Sequence, residues 1–248
     1  MRNIKVIMSY KGTNYHGFQR QDNAITVQEV IESRLSKLIG LGVTINGCSR
    51  TDTGVHANEY CFNFFTDSPI PCANLLYAAN CMMPDDIVFL SCEETPSDFH
   101  ARFDCIAKEY LYLIRNAPAK DPFSGDKALF YPYPLDIDKL SRAALNFEGA
   151  HDFTSFCGSA GLKNQENRVR TIEYCAVKKC NDENYVKILV KGDGFLYNMI
   201  RIIAGTLIFI NEGKIAEKAV PGIIAAKDRT KAGKTAPPQG LYLNKVFY

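Results

Sequence analysis

The chain has 248 residues, 46% hydrophobic and 11% aromatic, with 29 Lys+Arg against 27 Asp+Glu. That composition supports a buried core and excludes disorder as the main theme, and the length fits one large domain or two small ones. A formal charge of +2 argues against a dedicated polybasic nucleic-acid binder, but residues 1–124 carry 11 basic and 14 acidic side chains and residues 125–248 carry 18 and 13, so an anionic partner is expected to meet the second half.

Ile4–Met8 reads as a first strand, followed by a Gly/Asn/Gln-rich loop from Lys11 to Asn23. Thr26-Val27-Gln28-Glu29 has the form of a capping box, and Val27, Val30, Ile31, Leu35 and Leu38 then recur on one helical face. Val43–Cys48 is predicted as a short strand, and Tyr60, Phe62 and Phe64 alternate with other residues as a longer one. A helix is expected over Leu75–Met82, a strand at Ile87–Leu90, and another at Ile106–Ile114 with Ile106, Lys108, Tyr110, Tyr112 and Ile114 on one face. Tyr131–Pro134 is a loop. Asp136 is placed to cap a helix ending near Phe147. Strands follow at Val169–Val177 and Tyr185–Val190. A long apolar helix is expected after Gly192-Asp193-Gly194, a last helix near Lys227, and a closing strand at Leu241–Phe247.

This order predicts an α+β fold. Two similar halves, 1–107 and 108–248, are expected to form a mainly antiparallel sheet with helices on one side and an active-site cleft between the halves. The nine cysteines are odd in number, lack any C-x-x-C pair and lie mostly in apolar runs. Four scattered histidines offer no zinc spacing, so no metal site is expected. The N-terminus does not read as a signal peptide. Phe195–Ile210 is shorter than the roughly 20 residues that span a membrane and contains Arg201. A cytoplasmic, reduced protein without membrane attachment is expected.

Four polar signals stand out. Arg50-Thr51-Asp52-Thr53-Gly54-Val55-His56 lies between two apolar strands; in an extended segment Arg50 and Asp52 point the same way, and Gly54 permits a turn that presents the carboxylate. An Asx-turn made by the same residues is the plain alternative. Arg201 interrupts an apolar helix, where a guanidinium either meets a carboxylate, Asp52 being the attractive candidate, or snorkels to solvent. Tyr110 and Tyr112 on one strand face suit either base stacking or ordinary packing. Lys227-Asp228-Arg229-Thr230-Lys231 is a basic loop suited to phosphate contact or to plain solvation.

Taken together and in order, these motifs resemble the TruA family of tRNA pseudouridine synthases. The resemblance runs from Tyr10–Gln19 through Arg50–Ala57, Phe99–Phe103, Tyr110 and Tyr112, Asp152–Phe156, Arg170–Ile172, Gly194–Arg201 and Ala226–Arg229 to Gly240–Leu243. It implies isomerisation of uridine to pseudouridine at nucleotides 38, 39 and 40 of the tRNA anticodon arm, by a homodimer that uses neither a metal nor another cofactor. By position it assigns Asp52 as the catalytic aspartate, Arg201 as its basic partner and Tyr110 as the active-site tyrosine. Arg50 and Leu241 are implied as substrate-binding, and Lys227, Arg229 and Lys231 as RNA contacts. Phe18 stands where the family usually has Trp, and Lys108-Glu109 replace a frequently basic pair, as in a divergent second copy. The rival readings are a non-catalytic RNA-binding module and an aspartate-nucleophile hydrolase; the latter needs a second acid that the motifs do not supply.

Overall fold

Alternation of side chains along the first strand, with Ile4, Val6, Met8 and Tyr10 buried, fixes which face of the sheet meets the helices. The structure is a computed structural model and describes residues 1–164 and 167–248, the side chains at 163 and 164 excepted. Its strands are β1 (Arg2–Tyr10), β2 (Ile45–Gly47), β3 (His56–Thr66), β4 (Ile87–Thr95), β5 (Ala107–Arg115), β6 (Leu129–Phe130), β7 (Gly149–Asp152), β8 (Val169–Lys179), β9 (Tyr185–Gly192) and β10 (Leu241–Phe247). Its helices are α1 (Val27–Ile39), α2 (Cys72–Met82), α3 (Ile137–Leu145), α4 (Ser159–Asn164), α5 (Met199–Asn211) and α6 (Val220–Ala226). The architecture is α+β with mainly antiparallel strands, as expected. The chain divides into two compact units, Met1–Ile106 with Leu243–Tyr248, and Ala107–Tyr242.

The first unit has the strand order β4–β1–β3–β10, with β2 on β3. β1 is antiparallel to both neighbours, Val6 lying opposite Phe62 and Cys92. Ile4, Val6, Met8, Tyr60, Phe62, Phe64 and Phe89 form the buried layer, Phe62 meeting Phe89 edge-on at 5.5 Å. Thr26 caps α1, its hydroxyl accepting the Glu29 amide at 3.3 Å, and Gly40 closes the helix in the left-handed conformation. The buried stripe of α1 contains Val27, Ile31 and Leu35 as the periodicity predicts, but also Gln28 and Glu32. A buried carboxylate is costly without donors. Here Glu32 accepts from Gln28 Nε2 at 2.8 Å and from the Ile45 amide at 3.1 Å, which ties α1 to β2. Asn80 does the same for α2, pairing with both backbone groups of Phe89 on β4 at 2.8 and 2.9 Å. The strand expected over Val43–Cys48 is confined to Ile45–Gly47, and Ile106 precedes β5 and is exposed.

The second unit has the strand order β5–β9–β8–β7, each antiparallel to the next, with β6 parallel to β5. Asp136 caps α3 through the Lys139 amide at 2.9 Å, and Ser141 anchors the helix to β8 through the Val177 carbonyl. α5 is apolar nearly all round and correspondingly buried at Ile202, Ile203, Ala204, Leu207 and Ile210. It starts later than the sequence suggests. Asn198 takes φ 61° and breaks the chain direction before Met199, so residues 195–198 lie off the helix. A Cβ on Gly205 would lie 1.8 Å from the Lys234 carbonyl oxygen, so the chain at 233–236 runs directly on α5. Thr206 secures that contact by accepting the Gly233 amide at 2.9 Å. Among the described residues, no helix is long and apolar enough to cross a membrane.

Candidate active site

Asp52 sits on the connection between β2 and β3, half-buried. Its carbonyl accepts the Val55 amide at 3.1 Å, closing a tight turn through Thr53 and Gly54, and Gly54 has φ 76°. The loop after β1 holds this turn from outside. The Thr51 carbonyl accepts the Phe18 amide at 3.1 Å, and the Tyr15 carbonyl accepts the Gly54 amide at 3.3 Å. Thr51 Oγ1 pairs with the Tyr10 hydroxyl at 2.7 Å, and His56 Nδ1 accepts the Gly12 amide at 2.9 Å. The two loops touch so closely that a Cβ on Gly12 would lie 1.9 Å from the Val55 carbonyl oxygen. The outer loop is itself pinned: the Tyr15 hydroxyl donates to Asp86 at 2.5 Å, and burial, reinforced by that bond, raises its phenol pKa. Phe18 stacks on Tyr60 at 4.3 Å, and the Tyr60 hydroxyl donates to the Ser49 carbonyl. The backbone on both sides of Asp52 is therefore fixed, while Arg50 stays exposed.

Tyr110 and Arg201 belong to the second unit. Tyr110 lies on β5 opposite Val190, is 8% exposed, and meets Phe195 edge-on at 5.1 Å. Tyr112, the other stacking candidate, is fully buried; its hydroxyl donates to the Pro237 carbonyl at 2.8 Å, so it serves packing. Burial raises the Tyr112 phenol pKa, and the charge of Arg201 opposes that rise. Arg201 is oriented by two acceptors: Nε donates to the Ala236 carbonyl at 2.7 Å and Nη1 to Asn198 Oδ1 at 2.8 Å. The Ala236 amide returns a bond to the Arg201 carbonyl at 3.0 Å. Leu241, at the start of β10, is buried.

Asn198 and Ala236 are the contributors that sequence reasoning missed. Ala236 has no side-chain signal at all. Asn198 carried one, an Asn three residues before the Arg, but its left-handed backbone comes from tertiary contact: Gly158 donates its amide to the Tyr197 carbonyl at 2.8 Å, and a Cβ on Gly158 or Gly161 would lie 2.7 Å from Tyr197.

The basic run is more committed to structure than its composition suggests. Lys227 has φ 49°, and its Nζ lies 2.8 Å from Asp152. Burial depresses the Arg229 pKa; its guanidinium donates to the Gly233 carbonyl at 2.9 Å and to Thr235 at 3.1 Å, bracing the loop. Lys227, Lys231 and Lys234 are exposed, Lys227 while paired with Asp152, and Arg229 is half-buried. Among the described residues, no group of three or more His, Cys, Asp or Glu side chains is arranged to hold a metal ion.

Comparison with known proteins gives a consistent result. A family profile described as tRNA pseudouridine synthase matches residues 6–104 and 143–248. A protein of Ruminiclostridium cellulolyticum named tRNA pseudouridine synthase A is 48% identical over 248 residues, covering all of both chains. Proteins of the same name from Thermoanaerobacter sp. and Listeria monocytogenes are each 44% identical, again with full coverage of both chains. A chain of a solved Cbf5–Nop10–Gar1 complex is similar over 96% of this chain and 57% of its own length, at 12% identity and a TM-score of 0.35, too slight a likeness to argue from.

Proposed function

The chain belongs to the TruA family of tRNA pseudouridine synthases, and from that premise we propose that Asp52 is the catalytic carboxylate, with Arg201 as its cationic partner and Tyr110 as the aromatic that receives the base. The enzyme is an isomerase acting on uridine in tRNA. The reaction breaks the bond from ribose C1′ to uracil N1 and forms one from C1′ to C5; C5 loses a proton and N1 regains one. Atoms and electrons balance within the substrate, and the demand on the protein is for positioning and charge.

A carboxylate serves this chemistry as a nucleophile at C1′ or as the support for a glycal-forming proton abstraction, and either role needs it ionised. A guanidinium brought next to a carboxylate would favour that form, which is the role proposed for Arg201. The uridine has to leave its stack, at a cost of a few kcal/mol that stacking on Tyr110 offsets in part. Arg50 is assigned to the phosphate of the flipped nucleotide and Leu241 to the base pocket. Lys227, Arg229 and Lys231 are assigned to the RNA backbone.

The observation that carries this reading is the Asp52 turn. A carboxylate on a backbone gripped from both sides by the Tyr10–Phe18 segment is held as a reacting group has to be. The target nucleotides 38, 39 and 40, a homodimeric assembly and a cytoplasmic setting complete the proposal. Incubating the protein with unmodified tRNA and mapping pseudouridine by mass spectrometry tests it. The wild type is expected to give product at those nucleotides. Asp52→Asn is expected to bind tRNA without forming product, and turnover by that variant would remove Asp52 from the mechanism. Binding without product by the wild type would support the alternative of a non-catalytic RNA-binding module. Sedimentation of the free protein reads the assembly state.

A further inference from the structure

The segment between β4 and β5 spends buried polar groups on a loop at the surface. Asn63 is fully buried on β3; its Oδ1 accepts the Ala101 amide at 2.9 Å and its Nδ2 donates to Asn3 at 2.9 Å. Asn3, also buried, donates to the carbonyls of Pro96 and Phe99, both at 2.9 Å. The Tyr248 hydroxyl donates to the Ala101 carbonyl at 2.7 Å. Further along, Asp104 accepts the His100 amide at 2.7 Å, His100 Nδ1 accepts the Arg102 amide at 3.1 Å, and the His100 carbonyl accepts the Phe103 amide at 3.1 Å. Buried amide networks of this kind fix one conformation.

What this frame displays is a ring. Phe103 is 75% exposed. The His100 imidazole lies 4.3 Å from it, tilted by 37°, and the Arg102 guanidinium lies 5.8 Å from its centroid. Its neighbour Phe99 instead packs on Tyr248 at 5.1 Å, so the segment has an inward aromatic for the fold and an outward one without a role in the core.

We propose that His100, Arg102 and Phe103 form a stacking platform for an unpaired nucleobase of the RNA substrate, a base other than the reacting uridine. The proposal rests on tRNA being the substrate. A flat aromatic beside an imidazole and a guanidinium matches how proteins hold single-stranded bases, each of which offers a π-face whatever its identity. A phosphate fits less well, because Asp98 and Asp104 lie on the same segment. A protein partner needs about 800 Å² on each side, far more than one ring supplies. Arg102 adds a cation–π contact to the stack.

The chain contains no tryptophan, so Phe103→Trp creates a single emitter at the platform. Titration with an unmodified anticodon-arm RNA is expected to quench its emission in step with binding measured by filter retention. Phe103→Ala is expected to weaken that binding at least about fivefold while leaving the thermal unfolding midpoint unchanged, since an exposed ring contributes little to the core. Unchanged Trp emission at RNA saturation overturns the proposal, as does Phe103→Ala affinity within about twofold of wild type. An emission change driven by protein concentration alone, without RNA, assigns the ring to a second copy of the chain and also overturns it. Product mapping on the wild type separates this from the catalytic reading: quenching without pseudouridine formation leaves the platform standing and removes the assignment of Asp52, and product without quenching does the reverse.

Discussion

At the scale of single residues, the catalytic assignments depend on neighbours that hold them. Arg201 has two of its nitrogens engaged by Ala236 and Asn198, so its direction is set before any substrate arrives. Asn198→Gly retains a residue that tolerates the left-handed backbone but removes the acceptor. It is expected to lower kcat about tenfold, the worth of one charged hydrogen bond, with KM for tRNA nearly unchanged; steady-state kinetics checks this, and a change confined to KM would make Asn198 a binding residue instead. Tyr110→Phe keeps the ring against Phe195 and loses only the hydroxyl. It is expected to bind tRNA normally and turn over slowly in a single-turnover assay, and full activity would restrict Tyr110 to stacking.

At the scale of elements, two helical glycines make opposite predictions. Gly205 lies under the 233–236 segment, where a Cβ would come within 1.8 Å of a backbone oxygen that cannot swing aside. Gly205→Ala therefore overpacks the core and is expected to cost about 1–3 kcal/mol, lowering the unfolding midpoint by several degrees. Gly222 on α6 has open space around its Cβ position, so Gly222→Ala is expected to raise the midpoint slightly, by about 0.4–1 kcal/mol of stability. Differential scanning calorimetry reads both. Intrinsic helix propensity favours alanine at the two positions alike, and only packing separates them. The elements themselves were largely readable: α1 from its cap and stripe, β1 and β3 from alternation, α5 from its apolar run. Their limits were less so, because β2 is trimmed by what it pairs with, and α5 begins only after the chain has turned at Asn198.

At the scale of the whole molecule, a near-neutral total belongs to an enzyme whose substrate is a polyanion. Composition placed the basic excess in residues 125–248, but two of those cations also have partners within the protein: the exposed Lys227 pairs with Asp152, and Arg229 braces its loop. Charge reversal at Lys231 and Lys234 is expected to reduce the slope of log affinity for tRNA against log salt by about 0.7–0.9 for each phosphate that is no longer neutralised, without unfolding the loop. Filter binding over a range of salt concentrations measures it. Reversal at Arg229 is expected to lower the unfolding midpoint as well, because the loop loses its brace. An unchanged slope at Lys231 and Lys234 places the electrostatic footprint elsewhere.

The sequence by itself determined the α+β class, most elements, and the family through motifs strung along the chain, because periodicity, capping and turn chemistry act between residues a few positions apart. The resemblance also assigned roles to Asp52, Tyr110 and Arg201 by position, where the residues alone left a turn, strand packing and a snorkelling Arg as alternatives. Only the tertiary structure decided what holds the chain at these places: the Tyr10–Phe18 loop around the Asp52 turn, the left-handed Asn198 and the Ala236 carbonyl at Arg201, and the Asn3–Asn63 pair that binds the backbone of Phe99 and Ala101. Apart from Asn198, those partners lie far away in sequence, and most act through backbone amides and carbonyls. Every residue carries a carbonyl and all but proline an amide donor, so no residue type announces that role until the fold brings the segments together.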